Sequence, residues 1–201
     1  MTTGAKERIL QAAERLFAEN GYAATSVAQI AQAAGANRAL LYYYFRDKRD
    51  LYWAIIQSGL EELQGVLANI GRAPGGPWER LEAFVRSYYE FLLSRHHLAR
   101  MVFRELMVGN EQLGLPIDAY VGENLGQVRR MIEDGLRRGQ LQGCDPELTA
   151  FSLFGMIHVF FMQRLATGRS FPSDVVVAHT MSLLRHGAGA SAHFPGGEEG
   201  H

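Results

Sequence analysis

The chain has 201 residues, 47% of them hydrophobic and 20% charged, with 20 Lys and Arg against 21 Asp and Glu. That balance excludes a disordered chain and leaves room for one large domain or two small ones. A single cysteine, Cys144, excludes a disulfide framework and a cysteine-rich zinc or iron–sulfur site, and it suits a reducing cytosol.

Helical periodicity dominates from the start. Residues 5–19 place Ile9, Ala13, Leu16 and Phe17 on one stripe, with Lys6, Glu7, Arg8, Glu14 and Arg15 mostly opposite. Asn20-Gly21 ends this helix. Thr25 or Ser26 caps a short second helix whose inward positions are Val27, Ile30, Ala31 and Ala34, and Gly35 stops it. Asn37 caps a third, from Arg38 to Tyr43 or Tyr44, with Leu41 and Phe45 inward. A longer helix then runs from about Lys48 to Ile70.

The breaker cluster Gly71-Arg72-Ala73-Pro74-Gly75-Gly76-Pro77 is the clearest loop. Helices follow at Trp78–Ser94, about His97–Val108, about 117–138, about 146–167 and about 174–186. Gly109–Pro116, Gly139, Gly143–Pro146 and Gly168–Pro172 separate them. No run alternates as a strand does. The expected class is all-α, with about nine helices. The last fifteen residues, Gly187–His201, read as a mobile tail. No basic start leads into an apolar signal segment. The most apolar stretch, Phe151–Met162, spans roughly 18 Å as a helix, short of a bilayer core, so no membrane span is expected.

The net charge of -1 hides an asymmetry: residues 1–50 carry seven Lys and Arg against five Asp and Glu, while 51–201 carry thirteen against sixteen. Between 22 and 49, Arg38, Arg46, Lys48 and Arg49 stand against Asp47 alone. A basic end on a slightly acidic chain suits a polyanionic partner. In the same stretch, two helices of about eight residues meet at a tight glycine-containing turn and need a third behind them, which residues 5–19 supply. That is the helix-turn-helix arrangement, whose second element fits the DNA major groove.

The segment TSVAQIAQAAGANRALLYYYFRDK, residues 25–48, followed by Asp50-Leu51, resembles the DNA-binding signature of the TetR family of bacterial transcriptional regulators. Thr25, Ile30, Ala31, Ala34, Gly35, Leu41, Tyr42, Phe45, Lys48 and Leu51 match that pattern in spacing. Ala36, Asn37, Ala39 and Tyr44 depart from its Val, Ser, Gly and His. Asn37 keeps the capping chemistry, whereas Tyr44 removes a histidine-type phosphate contact.

Physical chemistry divides the DNA-facing roles. Thr25 and Ser26, at a helix start, suit a phosphate. Tyr42 and Tyr43 carry hydroxyls toward backbone oxygens. Arg38 can read a guanine edge, worth about 1–3 kcal/mol of discrimination. Ala39 and Leu40 read shape or a thymine methyl, with Asn37 at the helix start beside them. The resemblance makes Lys48 a phosphate clamp.

The resemblance further implies that the later helices enclose a small-molecule pocket and that the last two pair in a homodimer. Phe151–Leu165 is apolar at nearly every angular position, and the last helix has a broad apolar face, so Phe154, Ile157, Phe161, Val177, Met181 and Leu184 are the expected dimer contacts. The alternative is a fully buried central helix. Phe84, Tyr88, Phe91, Met101, Arg104, Met107 and His158 are the expected pocket residues, and an ordinary core is the other reading of the same pattern.

The expected organisation is a helix-turn-helix domain at 1–47, a ligand-binding and dimerisation domain at 48–186 and a tail at 187–201. The expected protein is a cytoplasmic, ligand-responsive homodimeric regulator. It is a repressor released from a palindromic operator in double-stranded DNA by an unidentified small lipophilic effector, with no cofactor, metal or membrane partner. An activator of the same fold is the alternative. A small helical enzyme or an adaptor that binds no DNA is a more distant one, since no catalytic or nucleotide-binding motif appears.

Overall fold

The computed structural model describes residues 3–108 and 114–188. Among them are nine helices and no strand: α1 (Thr3–Asn20), α2 (Val27–Ala33), α3 (Arg38–Tyr44), α4 (Lys48–Arg72), α5 (Pro77–Ser94), α6 (His96–Val108), α7 (Ile117–Arg137), α8 (Pro146–Thr167) and α9 (Ser173–Ala188). The fold class read from the sequence holds, and most helix bounds fall within two residues of expectation. Most of the expected tail, 189–201, lies outside the described residues, while Gly187 and Ala188 belong to α9.

The chain forms two compact units, one of Met1–Glu62 with Arg95–Tyr120 and the other of Leu63–Ser94 with Val121–His201. In the first, α1 packs on α2, α3 and α6, and α2 packs on α3. Ile9, Ala13, Phe17, Ile30, Leu41 and Leu51 have no or almost no exposed surface there. The aromatic rings of Phe17, Tyr22 and Tyr52 meet at centroid distances of 5.0–5.8 Å. Gly59 allows a close crossing with α6, because a Cβ there would lie 1.9 Å from Leu98 Cδ2. In the second unit, α5, α8 and α9 pack on one another around Phe84, Leu153, Ile157, Phe161 and Val176.

The 22-residue α8 is longer than its apolar run, and it is the one helix among the described residues with the length and hydropathy to cross a membrane. The length argument made on Phe151–Met162 alone is therefore corrected. What occupies the inner face of α8 is protein: Ala150, Leu153, Ile157 and Phe161 are buried, in a unit where α8 packs on α5 and α9.

Candidate nucleic-acid interface

The turn between α2 and α3 is built by local chemistry. Ser26 is the N-cap of α2: its Oγ accepts from Gln29 N at 3.2 Å, while Gln29 Oε1 accepts from Ser26 N at 2.8 Å, a reciprocal capping box. At the other end Ala36 N donates to Ala31 O at 2.9 Å and Gly35 N to Gln32 O at 3.2 Å, with Gly35 at φ 60°. This is a Schellman closure, and its left-handed residue favours glycine. Asn37 caps α3, its Oδ1 accepting from Leu40 N at 2.7 Å.

The phase of α3 follows. Leu41 and Phe45 point into the core, so Arg38, Ala39, Tyr42 and Tyr43, one helical turn apart in pairs, share the opposite face. All four are exposed, Tyr42 at 53% and Tyr43 at 79%; Leu40 is half-buried at the edge. Large aromatic side chains left open beside an exposed guanidinium form a surface able to bind phosphates and base edges. Arg46, just past α3, extends this basic surface with 87% of its side chain exposed and pairs loosely with Asp50 at 3.4 Å. The charge count over 22–49 carried the signal for Arg46, but its role was not singled out.

Two expected DNA contacts are corrected. Thr25 is 1% exposed, and its hydroxyl donates inward to Gly21 O at 2.8 Å and Leu16 O at 3.1 Å. It locks the α1–α2 connection rather than facing a phosphate. Lys48 is half-buried; its Nζ donates to Tyr22 O at 2.9 Å and Thr25 O at 3.0 Å and lies 4.2 Å from the Tyr22 ring centroid. Two of three ammonium protons are thus spent inside the head.

The expected pocket residues do not come together as one set. Arg104 donates to Phe17 O at 3.2 Å and Ala18 O at 3.3 Å, satisfying last-turn carbonyls of α1, and is no ligand contact. Met107 is 64% exposed, whereas Met101 is fully buried in the same unit. Phe91 is half-buried. Phe84, Tyr88 and His158 do cluster in the second unit, with Phe154 among them at ring distances of 4.8–5.1 Å from Tyr88 and Phe84. Tyr88 Oη lies 3.2 Å from His158 Nδ1, which is also 3.2 Å from Phe154 O. Burial pushes the Tyr88 phenol well up and the His158 imidazole down, so both stay neutral at physiological pH.

The expected dimer residues are also corrected. Ile157, Phe161, Val177, Met181 and Leu184 are at most 8% exposed, and Phe154 lies in the aromatic cluster, so all six face the interior of their own unit. The apolar side chains left outward are Leu148, Phe151 and Val159 on α8 and Val175 and Leu183 on α9, each more than half exposed.

An exposed recognition helix on a capped three-helix head, followed by further helical bundles, defines a DNA-binding transcriptional regulator. The chain belongs to the TetR family: the model of bacterial regulatory proteins of the tetR family matches residues 9–55, and that of the tetracyclin repressor-like C-terminal domain matches 74–164. Over 153 residues it is 30% identical to the HTH-type transcriptional regulator YhgD of Bacillus subtilis, itself uncharacterized, covering 75% of this chain and 79% of that one. It is 25% identical over 151 residues to a fatty acid metabolism regulator protein of the same bacterium, with 75% and 78% covered. The solved structure of a proposed fatty acid metabolism regulator from Clostridium perfringens superposes with a TM-score of 0.82 at 26% identity, over 90% of this chain and 97% of that one. The family is one of transcriptional regulators and not an enzyme class.

Proposed function

We propose that the protein is a homodimeric repressor that reads a palindromic operator with α3 and is released from it by a small lipophilic effector. The carrying observation is the outward face of α3, where Arg38, Ala39, Tyr42 and Tyr43 are exposed together. On this reading residues 1–47 act as the DNA-binding head and 48–186 as the effector-binding and dimerisation part. Arg38 reads a base edge; Ser26, Asn37, Tyr42 and Tyr43 contact phosphates, with Ala39 and Leu40 against the groove.

The outward apolar face of α8 and α9 supports the dimer, since Leu148, Phe151, Val159, Val175 and Leu183 on one copy can meet the same patch on a second. Two copies place their recognition helices about one DNA turn apart, as a palindrome requires. The aromatic cluster of Phe84, Tyr88, Phe154 and His158, apolar with one neutral polar pair, suits a lipophilic ligand. Two relatives named as fatty acid metabolism regulators favour an acyl chain as that ligand.

The test is a fluorescence titration of a palindromic duplex from the protein's own promoter region, repeated with a long-chain fatty acid and with its coenzyme A thioester. Tight binding that either compound weakens supports the proposal. Failure to bind any promoter duplex, or binding indifferent to both compounds, overturns the corresponding half.

A further inference from the structure

The second unit carries a groove of about 420 Å³ that none of the roles above uses. It lies among the last turns of α4, the start of α5 and the later part of α7, and its volume falls within the range of small-molecule sites. Leu67 and Met131, both buried, supply an apolar floor, and three guanidinium groups, Arg72, Arg80 and Arg130, supply the walls.

The local charges are unequal in availability. Two carboxylates line the groove, Glu123 and Asp134. Asp134 is bridged by Arg80 at 3.4 Å, Arg137 at 3.3 Å and Arg138 at 3.0 Å, so three cations surround one anion. Glu123 accepts from Gln64 Nε2 at 3.0 Å. Arg80 is fixed by a further bond from its Nε to Ala73 O at 3.3 Å, and its side chain is 19% exposed. Among the described residues no carboxylate lies within salt-bridge distance of Arg72 or Arg130, and both are exposed. A fixed, partly buried guanidinium flanked by two uncommitted ones gives a fork geometry for tetrahedral oxyanions.

We propose that this groove binds a small phosphate-bearing metabolite, its oxyanion held by Arg72, Arg80 and Arg130 and its apolar body laid on Leu67 and Met131. The site is separate from the DNA-reading face and does not depend on the effector assigned above. A phosphorylated ligand would give the regulator a second chemical input.

The test is isothermal titration of the full chain with pyrophosphate, with citrate as a polycarboxylate control. The variants are Arg72→Ala/Arg130→Ala, which spares the structural Arg80, and Arg38→Ala, which removes a cation from the DNA-binding head. Saturable pyrophosphate binding, weakened about tenfold or more in the double variant and unchanged in Arg38→Ala, is the expected result. Equal melting temperatures without ligand confirm that the double variant is folded. Absent pyrophosphate binding, equal binding by the double variant, or citrate bound as tightly as pyrophosphate would each overturn the assignment.

Discussion

Lys48 holds Tyr22 twice, through a 2.9 Å hydrogen bond from its ammonium to the Tyr22 carbonyl and by lying 4.2 Å from the centre of the Tyr22 ring. With the second bond to Thr25 O, this ties the first turn of α4 to the connection between α1 and α2. The residue that the sequence pattern offers as a phosphate clamp therefore sets the geometry of the head from within.

Lys48→Met should lower stability by about 1–3 kcal/mol, because two partly buried carbonyls lose a charged donor. Thr25→Val should cost a similar amount for the same reason, and Thr25→Ser much less, since the hydroxyl survives. Arg38→Ala, on the open face of α3, should leave the melting temperature unchanged. Chemical denaturation of the four variants checks the ordering; a Lys48→Met protein as stable as the parent would show that these bonds contribute little.

Two glycines separate space from conformation. At Gly59 a methyl group would lie 1.9 Å from Leu98 Cδ2, so Gly59→Ala should destabilise by about 1–3 kcal/mol through overpacking. At Gly35 nothing lies within 4 Å of the added carbon, and the cost of Gly35→Ala is the left-handed backbone alone, about 1 kcal/mol. Suppression of the first by Leu98→Ala but not of the second would confirm the distinction in denaturation curves.

Much of this was legible in the sequence, and what was not has identifiable causes. The caps at Ser26 and Asn37 and the stop at Gly35 are local signals, so the helix-turn-helix and its outward face could be read from residue type and spacing. The bonds made by Thr25, Lys48 and Arg104 reach across 9 to 87 residues, and no local pattern marks them. On α8 the difficulty is phase. A helix apolar at almost every angle does not reveal which side meets its own unit, and choosing Ile157 and Phe161 selected the inner side while Leu148, Phe151 and Val159 lie on the outer one.

Acid should weaken the second unit through His158. Its imidazole is held below the ordinary range by burial, so the folded state favours the neutral form. The contribution is fully present above the unfolded pKa of about 6.5, and it is lost as pH falls toward the depressed folded value, because the unfolded chain takes up the proton first. Between about pH 7.5 and 5.5, urea denaturation should show a larger stability loss for the parent than for His158→Gln. Identical pH profiles would remove His158 from the account.

The dimer assignment makes a positional prediction. Leu148→Glu/Val159→Glu places two charges on the outward face of α8 and should give a folded monomer by sedimentation. Ile157→Glu, which buries a charge inside the unit, should instead fail to fold. A dimer that survives the double substitution would place the interface elsewhere.

The direct test of the DNA-reading face is the affinity for the promoter palindrome, measured across a salt series for the parent, Arg38→Ala and Tyr42→Phe/Tyr43→Phe. The parent should bind with an affinity that falls linearly in log–log form as salt rises. Arg38→Ala should lose about 1–3 kcal/mol on the palindrome with little change on unrelated duplex, and the tyrosine variant should weaken both alike. Parent-like affinity and salt dependence in all three proteins would mean that α3 does not meet DNA.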